Sequence, residues 1–210
     1  MSTNVSRVTS IIIANELTYL PLPNRFYSTT SDSSVLEYML DALWTVFDST
    51  LVISSIDPPF EILERINPFG ARIIMNKDKP FLEMLGTSLE YVDTPIIFIV
   101  SGDRPLLKPS VLYTIGYNIG NFECAIPRWN DKSVDQFLAS FKTLALKKVL
   151  KIKMFKDYSS GFIDLFNDIL YLSVENELKI SDPELYSFMR LKNFGDREKI
   201  VKILNYKGSS

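Results

Sequence analysis

Asp103 stands where an apolar run, Ile96-Ile97-Phe98-Ile99-Val100, gives way to Ser101-Gly102 and is followed by Arg104-Pro105-Leu106-Leu107. A continuous apolar run bounded by turn residues predicts a strand buried on both faces, as in a parallel sheet covered by helices. In open α/β sheets ligands bind beyond the carboxyl ends of the strands, so a carboxylate there is placed to hold a metal ion or a ribose. The alternative is that Asp103 only shapes the turn ahead of Pro105. Other chemistries are excluded by composition. With no histidine and one cysteine, Cys124, the chain has no intrachain disulfide, no Cys/His zinc site and no Ser-His-Asp or Cys-His pair. Base chemistry falls to carboxylates and lysines, and Cys124 in an apolar stretch reads as a buried small hydrophobe.

The elements that must position Asp103 alternate. Val8 to Ala14 is a β-branched run and predicts the first strand. Residues 15–34 hold Pro21 and Pro23 among polar turn formers and predict a long irregular loop. Ser34 with Glu37 three residues on is a capping signature, followed by the inward stripe Val35, Met39, Leu43, Val46 and Phe47. Strands are predicted at 50–54, 71–75, 95–101 and 122–127, and helices at 58–66, 80–91 and 109–119. This order predicts an α/β fold: a three-layer, Rossmann-like domain with a mostly parallel central sheet and helices on both faces. From 133 to 154 one long helix is expected, with Lys142, Lys147, Lys148, Lys151 and Lys153 outward. Phe162, Ile163, Phe166, Ile169 and Leu170 predict another helix, 172–178 an edge strand, and 196–204 a last helix.

At 210 residues the chain is expected to be one domain, 1–210, able to bury ~70% of its unfolded surface. A net charge of -2 gives no nucleic-acid footprint, the lysine face reads as solvated, and no apolar run approaches the length of a membrane span. Met1 to Arg7 lacks a signal-peptide pattern, so a cytoplasmic protein is expected. The oligomeric state is not legible.

With Gly102-Asp103-Arg104-Pro105-Leu106-Leu107 after the central strand, the chain resembles the molybdenum cofactor guanylyltransferases and the wider nucleotidyltransferase family of the same fold. Asp103-Arg104-Pro105 matches the family's aspartate, variable residue and proline. Val8 to Ala14 is similar to the strand that enters its phosphate loop, and Arg25 falls at the family's signature lysine by its spacing to Leu36-Glu37. Cys124 to Arg128 resembles the strand ending Val-Pro-Arg, and Asp135 to Phe141 the acceptor-side segment. Asp182-Pro183 through Ser187-Phe188 resembles the approach to the family's distal asparagines.

The resemblance implies transfer of guanylyl from GTP to molybdopterin, with Mg2+ on Asp103 and Arg25 on the phosphates. It places Ala14, Asn15 and Asp78 at the nucleotide. Asp78 reads equally as a turn residue ahead of Pro80, Arg25 as a loop surface charge, and Asp135 as the solvated first turn of a helix. Two departures bear on this. The family's phosphate loop is glycine-rich so that backbone amides reach the phosphates, whereas Ala14 is followed here by Asn15-Glu16-Leu17-Thr18. Its distal asparagines fall on Arg190 and Lys192, so one of these cations is expected to pair with Asp103 in place of the metal, unless Asn193 takes the oxygen-ligand position. The second functional expectation is therefore a non-catalytic relative that keeps the fold as a binding or assembly module.

Overall fold

The computed structural model describes residues 7–23, 32–75, 77, 80–154 and 162–207. The chain begins with β1 (Val8–Ala14), a 3-10 turn (Glu16–Tyr19) and two short strands, β2 (Pro21–Leu22) and β3 (Ser33–Ser34). It continues through α1 (Val35–Trp44), β4 (Ser49–Ser54), α2 (Phe60–Ile66), β5 (Arg72–Met75), α3 (Phe81–Ser88), β6 (Ile96–Ser101) and α4 (Pro109–Tyr117). The last part comprises β7 (Cys124–Arg128), β8 (Leu138–Lys142), α5 (Thr143–Met154), β9 (Ile169–Ser173), the single turn α6 (Lys179–Ser181) and α7 (Phe194–Lys207).

Seven strands form one sheet in the order β5-β4-β1-β6-β8-β7-β9, while β2 and β3 make a separate antiparallel pair. All neighbours in the large sheet run parallel except at β8, which is antiparallel to both β6 and β7. The mostly parallel sheet expected from the alternating pattern is therefore present.

Strand alternation sorts side chains into two cores. Ile96, Phe98 and Val100 of β6 face a core shared with α1, α2, α4 and α7, while Ile97 and Ile99 face a second core under α3 and α5. Helices on both faces explain why β6 is apolar from Ile96 to Val100 instead of alternating with polar residues. Helix α1 starts where the sequence signals it. The Ser34 side chain accepts from the Glu37 amide, and the Glu37 carboxylate accepts from the Ser34 amide, a reciprocal cap of about 1 kcal/mol. Its buried stripe, Val35, Leu36, Met39, Leu40 and Leu43, joins one core with Val8 and Ile12 of β1, Val52 of β4 and Phe98 of β6.

Three expected elements differ. The predicted helix over 133–154 is strand β8 followed directly by α5; Leu138 and Ala139 bury into opposite cores, a period of two that places the segment between β6 and β7. The predicted helix around 162–170 is a 3-10 turn (Phe162–Leu165) and then edge strand β9, which pairs with β7 at the backbone. The expected edge strand at 172–178 accordingly ends at Ser173, where a wide helical turn (Val174–Leu178) begins. No helix among the described residues is long and apolar enough to cross a membrane.

Candidate functional site

The carboxyl ends of β1, β4 and β6 lie side by side, with Ile13 in register with Ser101 and Ala14 with Ser54. Beyond β1 the chain turns at once into Glu16–Tyr19. The Asn15 side-chain oxygen accepts from the amides of Leu17 (2.9 Å) and Thr18 (3.3 Å), and the Asn15 amide donates to Thr18 Oγ1 (2.9 Å). The Leu20 amide donates to the Leu17 carbonyl, and the Val35 amide to the Leu20 carbonyl. The amides of Asn15, Leu17, Thr18 and Leu20 are thus bonded within the turn.

The turn is wedged against the strand ends. Thr18 is fully buried, and Tyr19 donates its hydroxyl to Ser54 Oγ (2.9 Å) at the end of β4. Burial raises the Tyr19 pKa, with the Ser54 hydrogen bond pulling the other way, so Tyr19 is a neutral donor at pH 7. Gly102 is the residue the turn rests on: a Cβ there would stand 2.3 Å from Thr18 Oγ1 and 2.7 Å from the Ile13 carbonyl oxygen, and the Gly102 amide donates to that carbonyl (2.8 Å). Glycine is required by close approach, since no side-chain atom fits.

Asp103 follows, 2% exposed. Ser101 Oγ donates to its Oδ1 (2.8 Å), and Arg190 holds its Oδ2 with Nε at 2.9 Å and Nη2 at 2.8 Å. The expected ion pair is therefore present, and Arg190 makes it. The Lys192 backbone amide donates to Asp196 Oδ2 (3.1 Å), and Asn193 caps the start of α7 by accepting from the Asp196 amide (3.1 Å). The hydrogen bond to Asp103, the largest effect, raises the Arg190 pKa against a lowering by burial. The backbone reinforces the contact, because the Leu191 amide donates to the Asp103 carbonyl (2.8 Å).

Arg104, the variable residue of Asp-x-Pro, has no local sequence signal for a role in the site. It is 1% exposed and pairs with Asp135, and it also donates to the Ser187 carbonyl (3.3 Å). Burial draws its pKa below the ordinary value, against the raising pull of Asp135 and Asp103; its Nε is buried without a hydrogen-bond partner. Asp135 belongs to no helix. It lies in the turn before β8, its carboxylate accepting from the Phe137 amide (3.3 Å), which corrects the expected helical first turn. The guanidinium found by Asp135 comes from a loop far away in sequence, and no local pattern announces such a pairing.

Two ion pairs, Asp103 with Arg190 and Arg104 with Asp135, thus stand beside each other just beyond the carboxyl end of β6. The segment from 182 to 192 lies across them, held further by Lys108, whose Nζ is 2.8 Å from the buried Asp182 and whose amide donates to Ser187 Oγ (3.0 Å). The structure sets Ala14 against Gly102, the residue before Asp103, while Asn15 is engaged in its own turn; Arg25 and Asp78 lie outside the described residues. Cys124 is fully buried in β7.

These residues do not fit the magnesium site the resemblance implies. Both Asp103 carboxylate oxygens already have donors, a guanidinium occupies the approach to Oδ2, and no group of three His, Cys, Asp or Glu suited to a metal exists among the described residues.

The sheet order and the strand-end crevice define a nucleotidyltransferase-like α/β fold. No family model matches the sequence. The chain is 22% identical over 175 residues to a probable molybdenum cofactor guanylyltransferase of Methanosarcina mazei, covering 80% of this chain and 78% of that one. It superposes on the molybdopterin-guanine dinucleotide biosynthesis protein A of Archaeoglobus fulgidus with a TM-score of 0.70 at 17% identity, over 95% of this chain and 99% of that one. A cytidylyltransferase of Thermus thermophilus acting in methylerythritol phosphate chemistry gives a TM-score of 0.66 at 14% identity, over 93% and 98% of the two chains. The chain resembles the molybdenum cofactor guanylyltransferases in sequence and in fold, as a divergent relative.

Proposed function

We propose that this chain is a non-catalytic relative of the nucleotidyltransferases that keeps the fold as a binding or assembly module. The observation that carries the reading is the closed turn after β1. A phosphate cradle needs backbone amides free to converge on the anion, and here the amides of Asn15, Leu17 and Thr18 are bonded inside the turn. Reopening it would strip Gly102 of its packing partner and the buried Thr18 and Tyr19 of their hydrogen bonds.

A second reading is guanylyl transfer from GTP to molybdopterin, favoured by the sequence match to the Methanosarcina mazei relative. On that reading Asp103 and Arg25 act on the nucleotide phosphates, with Ala14, Asn15 and Asp78 around the nucleotide. It requires both the turn to open and Arg190 to leave Asp103.

Calorimetric titration with GTP and with CTP, each with and without Mg2+, separates the two. The module reading expects no binding of either nucleotide at millimolar concentration. Magnesium-dependent GTP binding in the micromolar range overturns it in favour of the transferase.

A further inference from the structure

We propose that Arg190 is the built-in cation of the crevice: its guanidinium excludes divalent ions from Asp103, and removing it uncovers a latent site for a hard divalent cation. The inference deepens the non-catalytic reading and rests on it.

The first support is charge. Asp103 and Asp135 contribute two negative charges and Arg190 and Arg104 two positive ones, so the cluster is neutral with Arg190 present and carries one net negative charge without it. Affinity for magnesium, manganese or calcium rises with the number of anionic oxygen ligands and falls with nearby positive charge. Arg104, the next residue in the chain, is buried and paired with Asp135, so it adds its charge to the exclusion from beside the carboxylate.

The second support is geometry. Arg190 uses two nitrogens on Oδ2, at 2.8 and 2.9 Å, and Nη2 also donates to Ser101 Oγ (3.3 Å), whose hydroxyl donates to Oδ1. One guanidinium thereby organises the carboxylate and the hydroxyl that an oxygen-seeking cation would otherwise use. Its planar fork suits the carboxylate as a point charge does not.

The third support is anchorage. The Leu191 amide donates to the Asp103 carbonyl (2.8 Å) and Arg104 holds the Ser187 carbonyl (3.3 Å), so residues on both sides of Arg190 are tied to the Asp103 loop. The arginine is presented to the carboxylate by the backbone and is not a long surface side chain that happens to reach it.

The test is Mn2+ titration of the full chain without nucleotide, followed by electron paramagnetic resonance of the free ion. Wild type and Arg190→Lys, which keeps the positive charge, are expected to show no saturable site below about 1 mM, the weak end of protein oxygen sites. Arg190→Asn, which supplies a neutral oxygen, is expected to bind one Mn2+ at least ~10-fold more tightly, and Asp103→Asn added to it should abolish the gain. Arg190→Gln, which keeps an amide donor near Asp103, repeats the test should Arg190→Asn not fold. Saturable wild-type binding equal to that of Arg190→Asn overturns the inference, as does a folded neutral variant that gains no site. Neither readout involves nucleotide, so failure here is distinct from failure of the module reading, which GTP titration of the wild type decides.

Discussion

Thr18 lies over Gly102 so closely that a Cβ at 102 would stand 2.3 Å from the threonine Oγ1. The neighbouring Ile13 carbonyl, 2.7 Å from the same point, is backbone of β1 and has nowhere to go. Gly102→Ala is therefore expected to destabilise the fold by ~2 kcal/mol through overpacking, measured as a lower urea midpoint at unchanged slope. Thr18→Ser is the control: it keeps the hydroxyl and leaves the clash, so the double variant should gain little.

Much of this arrangement was legible in the chain. The runs at 8–14 and 96–101 announce strands buried on both faces, and Ser34 with Glu37 announces a helix start, because each signal is local. Strand β8 was hidden. Leu138-Ala139-Ser140-Phe141-Lys142 has no β-branched residue, and no glycine or proline separates it from α5, so helix propensity outweighed a pairing with β6 that only tertiary structure supplies. The cationic partner of Asp103 was legible as one of two residues, since a resemblance aligned both to the same end of the site. Arg104 with Asp135 was not legible, because a buried pairing between distant loops leaves no trace in spacing.

Asp103→Asn removes the charge that compensates Arg190. Breaking a buried pair by deleting one partner costs about 3–5 kcal/mol. Arg190 is 36% exposed on its side chain, so water recovers part of that and a loss of ~2 kcal/mol is expected. A metal ligand held without its ion would behave oppositely, the neutral variant being as stable as wild type or more so. Equilibrium urea unfolding distinguishes the two signs.

Arg104 and Asp135 form the more buried pair. Arg104→Met is expected to cost ~3 kcal/mol by leaving Asp135 without its cation. Arg104→Met with Asp135→Asn should recover most of that loss, because the asparagine oxygen still serves the Phe137 amide. A double-mutant cycle by thermal unfolding reads the coupling, and additive single effects would contradict it.

The anchor of the 182–192 segment is pH-dependent at both ends. Burial raises the Asp182 pKa, but hydrogen bonds from Lys108 and Ser187 outweigh it and leave the carboxyl below its ordinary value. A depressed folded pKa means that its stabilisation is present above the unfolded value, about 3.9, and is lost as pH falls through the folded one. Lys108 is the mirror case: burial lowers its pKa, yet Asp182 and Glu184 raise it overall. Its contribution is complete below the unfolded value, about 10.4, and is lost as pH rises through the folded one. Lys108→Met should therefore flatten the acid limb of the stability profile below about pH 4, measured by urea unfolding at fixed ionic strength.

Cys124 is held as a thiol. Burial, aided by the charge of Glu123, pushes its pKa up to about 12. Since the thiolate is the reactive form, the native protein should resist a thiol reagent such as dithionitrobenzoate at pH 8, and one equivalent should react on unfolding. Rapid labelling of the native chain would mean that β7 leaves its place between β8 and β9.

The insertion of β8 between β6 and β7 also sets an order of assembly. During synthesis β7 leaves the ribosome before β8, the strand that joins it to β6. Until Lys142 has emerged, the central strand keeps one row of amides and carbonyls bare, and the finished α/β half is a template for the wrong partner. A chain stalled between 101 and 142 would therefore expose the β6 edge, and shielding that edge is what a chaperone acting during synthesis would have to do.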